Sequence, residues 1–356
     1  MKIFFDARYT RTDYHDGISR YSAELGNALA KLDDVTFLIS DDAQKKWFPK
    51  NTAFIKIHPA TSIKEPLVPK ILNKYKPDVV YSPLQTIGTI GRNYKAVLTS
   101  QDMIYYRHAL PPRFLPAHVR LGWRLYHLTY WPQRLALNSA DLVTTVSQTS
   151  AHDLNVAKMT NHPIIPVPNA PQQFSKYPAK HHGAIKNIIY MGSFMPYKNT
   201  ETLIKAMKWL PGRSLHLLSR ISPTRQAELQ ALIPKNATVI FHNGVSDDEY
   251  EKLLADNAVL GTASFDEGYG IPVAEALAMG VPAVVSNIPV FHEVGAGGAL
   301  YFTPTNPKTF AEAVIQLDDK QFRDEHIALG KAHMKTFSWD ASARVLHNAM
   351  KSLFNN

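Results

Sequence analysis

The 356-residue chain reads as an α/β protein of two doubly wound, parallel-sheet domains facing a central cleft, and three observations predict it. Short, β-branched apolar runs alternate with amphipathic helical patterns from one end to the other, the rhythm of parallel sheets covered by helices. The length suits two domains at roughly 100 to 200 residues each. The periodicity stops once, from 169 to 182, where Pro171, Pro178 and the pair His181-His182 leave few apolar anchors, as in a linker.

In the first half, strands are expected at 2–6, 36–40, 79–82, 96–100, 142–147 and 164–167. After the first of these, Ile18, Tyr21, Leu25, Leu29 and Leu32 share one face at the 3.6-residue spacing of a helix packed on a sheet. The second series places strands at 188–191, 215–218, 239–242, 259–263, 283–286 and 300–302. Between its third and fourth members, Ser246-Asp247-Asp248-Glu249 forms a capping box, in which serine and glutamate each satisfy a free backbone N–H at a helix start. Asn306-Pro307 opens another helix, with proline where its missing N–H costs nothing. No short tandem repeat or low-complexity tract interrupts the pattern, which argues against a solenoid.

Apolar residues make up 45% and charged residues 19%, enough to bury large cores and to exclude a mainly disordered chain. Cysteine is absent, which excludes disulfides, thiolate metal sites and cysteine nucleophiles and fits a reducing compartment. The first apolar run breaks at Asp6, and no stretch reaches the roughly 18 apolar residues of a spanning helix, so neither a signal peptide nor an integral membrane segment is expected. The net charge of +9 is uneven: residues 1–170 carry 21 Lys/Arg against 13 Asp/Glu, the remainder 18 against 17. A basic first half attracts polyanions, whether nucleic acid, an anionic membrane surface or a phosphate-bearing substrate.

Only 17 residues are glycine, yet Gly268, Gly270 and Gly280 crowd into one segment after the strand at 259–263. Pro272, expected at the first helical position, sets a helix start whose free N–H groups and dipole favour an anion such as a diphosphate. Glu267 in the loop and Glu275 in the first helical turn are expected to face the crevice beyond the strand ends, where open α/β sheets bind ligands. A carboxylate does not bind phosphate, but it accepts hydrogen bonds from sugar hydroxyls. Two acids flanking an anion site suit a ligand with hydroxyls on both sides of a diphosphate.

Glu267 and Glu275, with seven residues between them in Glu267-Gly-Tyr-Gly-Ile-Pro-Val-Ala-Glu275, resemble the signature of the retaining GT-B glycosyltransferases of family 4, mannosyltransferase-like members in particular. Ser286-Asn-Ile-Pro289 and Glu293-Val-Gly295 continue the likeness. Gly17-Ile-Ser-Arg-Tyr21 is similar to the family's first glycine loop, Tyr190 to Asn199 to its phosphate loop, and Phe337-Ser-Trp339 to the start of its final helix. The resemblance implies two Rossmann-like domains: an acceptor-binding domain at 1–170, joined by a returning helix at 340–356, a linker at 171–186, and a nucleotide-sugar domain at 187–339. It further implies that Glu275 holds the ribose, that Glu267 contacts the donor sugar, and that the backbone of Gly268, Tyr269 and Gly270 lines sugar and phosphates. Lys198 would neutralise the leaving diphosphate, a fixed cation placed where charge develops. Gly17 belongs to the donor side, and Arg20, Gln101 and Asp102 to the acceptor side. No Asp-x-Asp occurs, so no metal and no further cofactor is expected beside the nucleotide sugar.

The sequence departs from the family pattern at several points. Ser193 stands where the phosphate loop usually carries arginine, with Arg220 as a partial substitute; Gln101-Asp102 replaces His-Asp, Asp16-Gly17 a double glycine, and Asn169-Ala170 the usual Asn-Gly. Taken singly, Glu267 and Glu275 would pass for a solvated loop acid and a dipole-favoured helix glutamate, Lys198 for a surface lysine, and Arg20 for a solvated helix residue. Residues 103–134 hold five arginines, seven aromatics and no acid. As a helix over 116–134, Arg120, Arg124, His127 and Arg134 would flank Trp123, Tyr126, Tyr130 and Trp131, the pattern of a basic helix at an anionic membrane surface; a core helix with a solvated face has the same spacing.

Together these point to a metal-independent hexosyltransferase, and the resemblance implies that it retains the anomeric configuration. Its expected donor is GDP-mannose, its acceptor a lipid-linked glycan or a growing polysaccharide, and its place the cytoplasm, peripheral at the inner face of the membrane, without nucleic acid as partner. The alternatives are a sugar-nucleotide epimerase or hydrolase on the same fold, and a non-catalytic binding protein with a degenerate donor site.

Overall fold

The computed structural model describes residues 1–111 and 116–355. They divide into two compact units, one comprising Met1–Asn169 and the chain from Ser338 onward, the other Ala170–Phe337.

In the first unit, seven strands form one parallel sheet: β1 (Ile3–Asp6), β2 (Val35–Ile39), β3 (Ala53–Lys56), β4 (Val79–Ser82), β5 (Lys95–Thr99), β6 (Leu142–Thr145) and β7 (Ile164–Pro166). Their order is β3-β2-β1-β4-β5-β6-β7, with Ile3 opposite both Val35 and Val79. Strands β1, β2 and β4 are buried along their whole length, as continuous apolar runs between two helical layers should be. The helix Gly17–Leu29 buries Tyr21, Leu25 and Leu29 as its stripe requires, but Ile18 at its start and Leu32 beyond its end are each 36% exposed.

The helix Trp339–Ser352 belongs to this unit. Ser338 caps it by accepting from the Ala341 N–H, and Ala343, Leu346 and Met350 form its buried face. Trp339 meets Tyr21 edge-on at 6.0 Å, Ser342 Oγ donates to the Pro168 carbonyl at 2.7 Å, and Lys31 and Asp340 pair at 2.8 Å.

The second unit holds six parallel strands: β8 (Asn187–Tyr190), β9 (Ser214–Leu217), β10 (Thr238–Phe241), β11 (Ala258–Thr262), β12 (Ala283–Ser286) and β13 (Ala299–Phe302), in the order β10-β9-β8-β11-β12-β13. Ile188, Leu203, Leu217, Val259, Val284, Phe310 and Val314 pack into its core. The capping box at Ser246 and Glu249 is formed, and Asn306 caps the helix that Pro307 opens. Residues 171–186 are hydrogen-bonded to this unit: the Lys176 and Tyr177 N–H groups donate to Glu251 Oε1 at 2.6 and 2.9 Å, and Asn257 Nδ2 donates to the His182 and Ala184 carbonyls.

Two local expectations change. Strand β3 was not foreseen, because its four residues are only partly buried at the sheet edge and carry a weak apolar signal. The single helix expected over 116–134 is two, Ala117–His127 and Trp131–Asn138; Pro132 is tolerated only in the first turn of a helix, so the second starts afresh at Trp131.

Candidate active site

In each sheet the strand order reverses beside one central pair, β1 and β4 in the first unit and β8 and β11 in the second. Connections on either side of such a point leave in opposite directions and open a crevice at the carboxyl ends of the strands. The candidate donor residues lie on the two loops that bracket this point in the second unit.

The loop after β8 is tightly tied. Tyr190 Oη donates to the Ser193 carbonyl at 2.6 Å, the Gly192 N–H donates to Ser219 Oγ at 3.1 Å, and Arg225 Nε donates to the Phe194 carbonyl at 3.1 Å. Arg225 is itself held by Glu228 at 3.0 Å and by Glu201. A short turn, Pro196–Lys198, then delivers Lys198, and Asn199 follows in the left-handed region at φ 50°. Asn199 does not cap the next helix with its side chain. Its Nδ2 instead donates to the Ala263 and Pro304 carbonyls at 3.0 and 2.7 Å, pinning the loop after β8 to those after β11 and β13.

The loop after β11 carries Glu267. Its Oε1 accepts from Lys198 Nζ at 2.6 Å and from Ser264 Oγ at 2.7 Å, and the lysine and glutamate side chains are 16% and 12% exposed. Lys198 Nζ also sits 5.2 Å from the centre of the Tyr197 ring. The loop ends at Gly270, whose φ of 100° suits glycine alone and whose added Cβ would come within 2.7 Å of the Phe291 ring. Gly268 is buried. Tyr269 turns its ring inward, 3% exposed, against Phe337; burial first, and then the Glu293 charge, push its phenol well above the ordinary range. Any ligand contact at Tyr269 therefore falls to its backbone.

The helix that follows is Ile271–Met279, with Gly270 as its N-cap. Pro272 is thus its second residue rather than its first, and Glu275 its fifth, past the first turn in which it was expected. The left-handed Gly270 takes the capping position and shifts both by one. Glu275 is buried at 4% exposure. Ser193 is exposed, and Arg220 lies with its aliphatic stem over Gly244, where a Cβ would come within 2.9 Å of it.

The remaining candidates belong to the first unit. Gly17 is the first residue of its helix, capped by Asp16, which accepts from the Ser19 N–H at 2.9 Å, and Arg20 lies in that helix's first turn. Gln101 and Asp102 follow β5. The Gln101 amide donates to the Pro83 carbonyl at 2.9 Å, and Asp102 Oδ1 accepts from the Ile104 N–H at 2.9 Å. Sequence reasoning missed Ser264, Arg225 and the bridging role of Asn199; of these only the asparagine, following a lysine at a turn, carries a local signal.

The second unit thus brings Lys198 and Glu267 together above the switch point, beside a glycine-ended loop and a helix start. Glu267 can only accept hydrogen bonds when ionised, and Lys198 can only donate. The pair thus offers one group able to meet an anion and one able to accept from a hydroxyl.

Residues 178–333 match the family model of glycosyl transferases group 1, and residues 15–170 that of glycosyltransferase family 4. The O-antigen chain mannosyltransferase RfbU of Salmonella typhimurium is 34% identical over 131 residues, 36% of this chain and 37% of the relative. O-antigen chain mannosyltransferase B of Escherichia coli is 27% identical over 239 residues, 61% of this chain and 62% of the relative. The match thus spans less than two thirds of either relative's length. Among solved structures, HepE of Anabaena in complex with UDP and glucose superimposes with a TM-score of 0.72 at 17% identity, covering 99% of this chain and 100% of that one. WaaG, a glycosyltransferase involved in lipopolysaccharide biosynthesis, does so with 0.68 at 15%, covering 98% and 99%. These likenesses establish the GT-B fold.

Proposed function

Because the chain belongs to the glycosyl transferases of group 1, we propose that it moves a hexose from a nucleotide diphosphate sugar to a glycan or lipid-linked acceptor with retention of configuration. The observation that carries the reading is the 2.6 Å pairing of Lys198 with Glu267 across the two loops at the switch point.

In this scheme the diphosphate rests on the backbone of residues 268–270 and the start of the helix Ile271–Met279, whose dipole favours an anion. Lys198 neutralises the charge that grows on the leaving phosphate oxygen, so the chain's own cation rather than a metal lowers the barrier. Arg220 adds a second positive charge where the family's arginine is replaced by Ser193. Glu275 takes the ribose hydroxyls and Glu267 those of the donor sugar. The acceptor oxygen attacks the anomeric carbon from the side the diphosphate leaves, and its proton passes to that phosphate oxygen. Gly17, Arg20, Gln101 and Asp102 of the first unit serve the acceptor side and the entry of the donor. Mannose from GDP-mannose is the proposed donor, supported by the two O-antigen chain mannosyltransferases among the relatives. A lipid-linked or polysaccharide acceptor at an anionic membrane surface fits the basic first unit.

Titration of the chain with GDP-mannose, GDP, UDP-glucose and UDP in a calorimeter tests this reading. Saturable binding of a sugar nucleotide, with GDP-mannose the tightest and little turnover until acceptor is added, is the expected result. Full-rate consumption of the donor without acceptor would instead identify an epimerase or hydrolase, and no binding of any sugar nucleotide would leave only a non-catalytic role.

A further inference from the structure

Two consecutive carbonyls of the loop after β8 are held from within the second unit. Tyr190 Oη, at the buried end of that strand, donates to the Ser193 carbonyl at 2.6 Å, and Arg225 Nε donates to the Phe194 carbonyl at 3.1 Å. The Phe194 ring lies in the core, 5.8 Å from the Tyr190 ring, so the loop is anchored by a side chain as well.

A trans peptide sets the C=O of one residue and the N–H of the next in opposite directions. With the Ser193 carbonyl drawn down onto the strand end, the Phe194 N–H points out beyond it. With the Phe194 carbonyl drawn to Arg225, the Met195 N–H points away from Arg225. That arginine lies in the helix Pro223–Gln230, which follows β9, and β9 borders β8 on the side opposite β11. The Met195 N–H is therefore turned toward the β11 side, where Lys198 meets Glu267.

Arg225 is suited to holding a carbonyl rather than to attracting an anion. Ser222 caps its helix and accepts from the Arg225 N–H at 3.3 Å, while Glu228 holds Nη1 at 3.0 Å and Glu201 holds Nη2. A guanidinium between two carboxylates offers no net positive charge to a diphosphate. Its planar fork still leaves Nε a fixed direction of its own, and a charged donor holds a carbonyl more firmly than a neutral one does.

We propose that Arg225 is a positioning residue for the diphosphate: by holding the Phe194 carbonyl it aims the Met195 N–H at the phosphate oxygens beside Lys198, next to the Phe194 N–H that Tyr190 aims. The proposal rests on the reading that the second unit binds a nucleotide diphosphate sugar, and it adds to that site a residue that never touches the ligand.

The test is calorimetric titration of the full chain with GDP, beside saturation-transfer NMR with guanosine, which keeps base and ribose but has no phosphate; UDP and uridine serve in their place where UDP binds the tighter. Arg225→Met should weaken diphosphate binding about tenfold, the scale of one hydrogen bond from a charged group, and leave nucleoside binding within about twofold. Its melting temperature should hold within about 2 °C, because Glu201 and Glu228, 26% and 39% exposed, are hydrated when unpaired. Arg225→Lys keeps the charge but loses the fork, and should weaken the diphosphate as much. Tyr190→Phe, which releases the Ser193 carbonyl, should show the same selectivity and carries the test should the Arg225 variants fail to fold. Undiminished diphosphate affinity in Arg225→Met, full affinity in Arg225→Lys, or an equal loss of nucleoside and diphosphate affinity would each overturn the proposal. A parent chain that binds neither diphosphate overturns the transferase reading and this one with it, whereas a parent that binds one of them as tightly as every variant does overturns the positioning role alone.

Discussion

In the proposed transfer, Lys198 is the residue on which the chemistry turns. Glu267 holds its ammonium at 2.6 Å, so the cation is already aimed at the loops where a diphosphate would lie. Its removal should act on the step in which charge develops. Lys198→Ala is therefore expected to lower kcat by about 10² or more, the scale of losing one transition-state charge stabiliser. Steady-state kinetics check it, and a rise in KM at constant kcat would assign the lysine to ground-state binding alone. The two glutamates were legible because their spacing and the glycines between them are local in the sequence. Ser264, which orients Glu267, and Arg225, which ties down the Phe194 carbonyl, were not. Arg225 bonds a backbone atom 31 positions away, and nothing in its neighbourhood distinguishes it from a solvated helix residue. Glu275 was read one position too early for a related reason: the backbone sign at Gly270, which decides where the helix begins, is a torsion rather than a residue type.

At the scale of elements, strands buried on both faces were plain in the sequence, because a run such as Val79–Ser82 has no polar side to show. Strand β3, half exposed at an edge, gave no such contrast. The adjacent strands β9 and β10 lead to a pair of histidines with a measurable consequence. His216 Nδ1 lies 3.0 Å from His242 Nε2, with the rings stacked at 5.3 Å. Burial lowers both affinities for a proton, and for His216 the neighbouring His242 lowers it further. Since the folded pKa values lie below the unfolded value of 6.5, the unfolded chain takes up protons first. The stability that depends on neutral imidazoles is therefore complete above that value and lost as the pH falls through it. Melting followed by circular dichroism should show a fall in Tm from about pH 7.5 to about pH 5.5, and His242→Gln should flatten it. A variant as pH-sensitive as the parent would place the titration elsewhere.

Over the whole molecule, two parallel-sheet domains followed from the alternation of strands and helices, and the excess of positive charge in the first half was a matter of counting. Strand order was not legible, because the reversal beside β1 and β8 is decided by which helix crosses which face. The first unit is assembled from two separate stretches, and its integrity should depend on the later one. Deleting residues 338–356 removes the buried side chains Ala343, Leu346 and Met350 together with the cover that Trp339 gives Tyr21. At roughly 1.5 to 3 kcal/mol for each large apolar side chain, such a chain should lose about 10 °C or more from the melting of the first unit. The second unit should melt as before, which differential scanning calorimetry can resolve. The same arrangement bears on biogenesis. Residues 170–337 leave the ribosome as one uninterrupted stretch and have every strand of their sheet once β13 emerges, whereas the earlier-made sheet waits for its last helix until after them. The domain whose translation starts first is therefore the one finished last, and in the interval the flank of Gly17–Leu29 that receives Trp339 is open to chaperones.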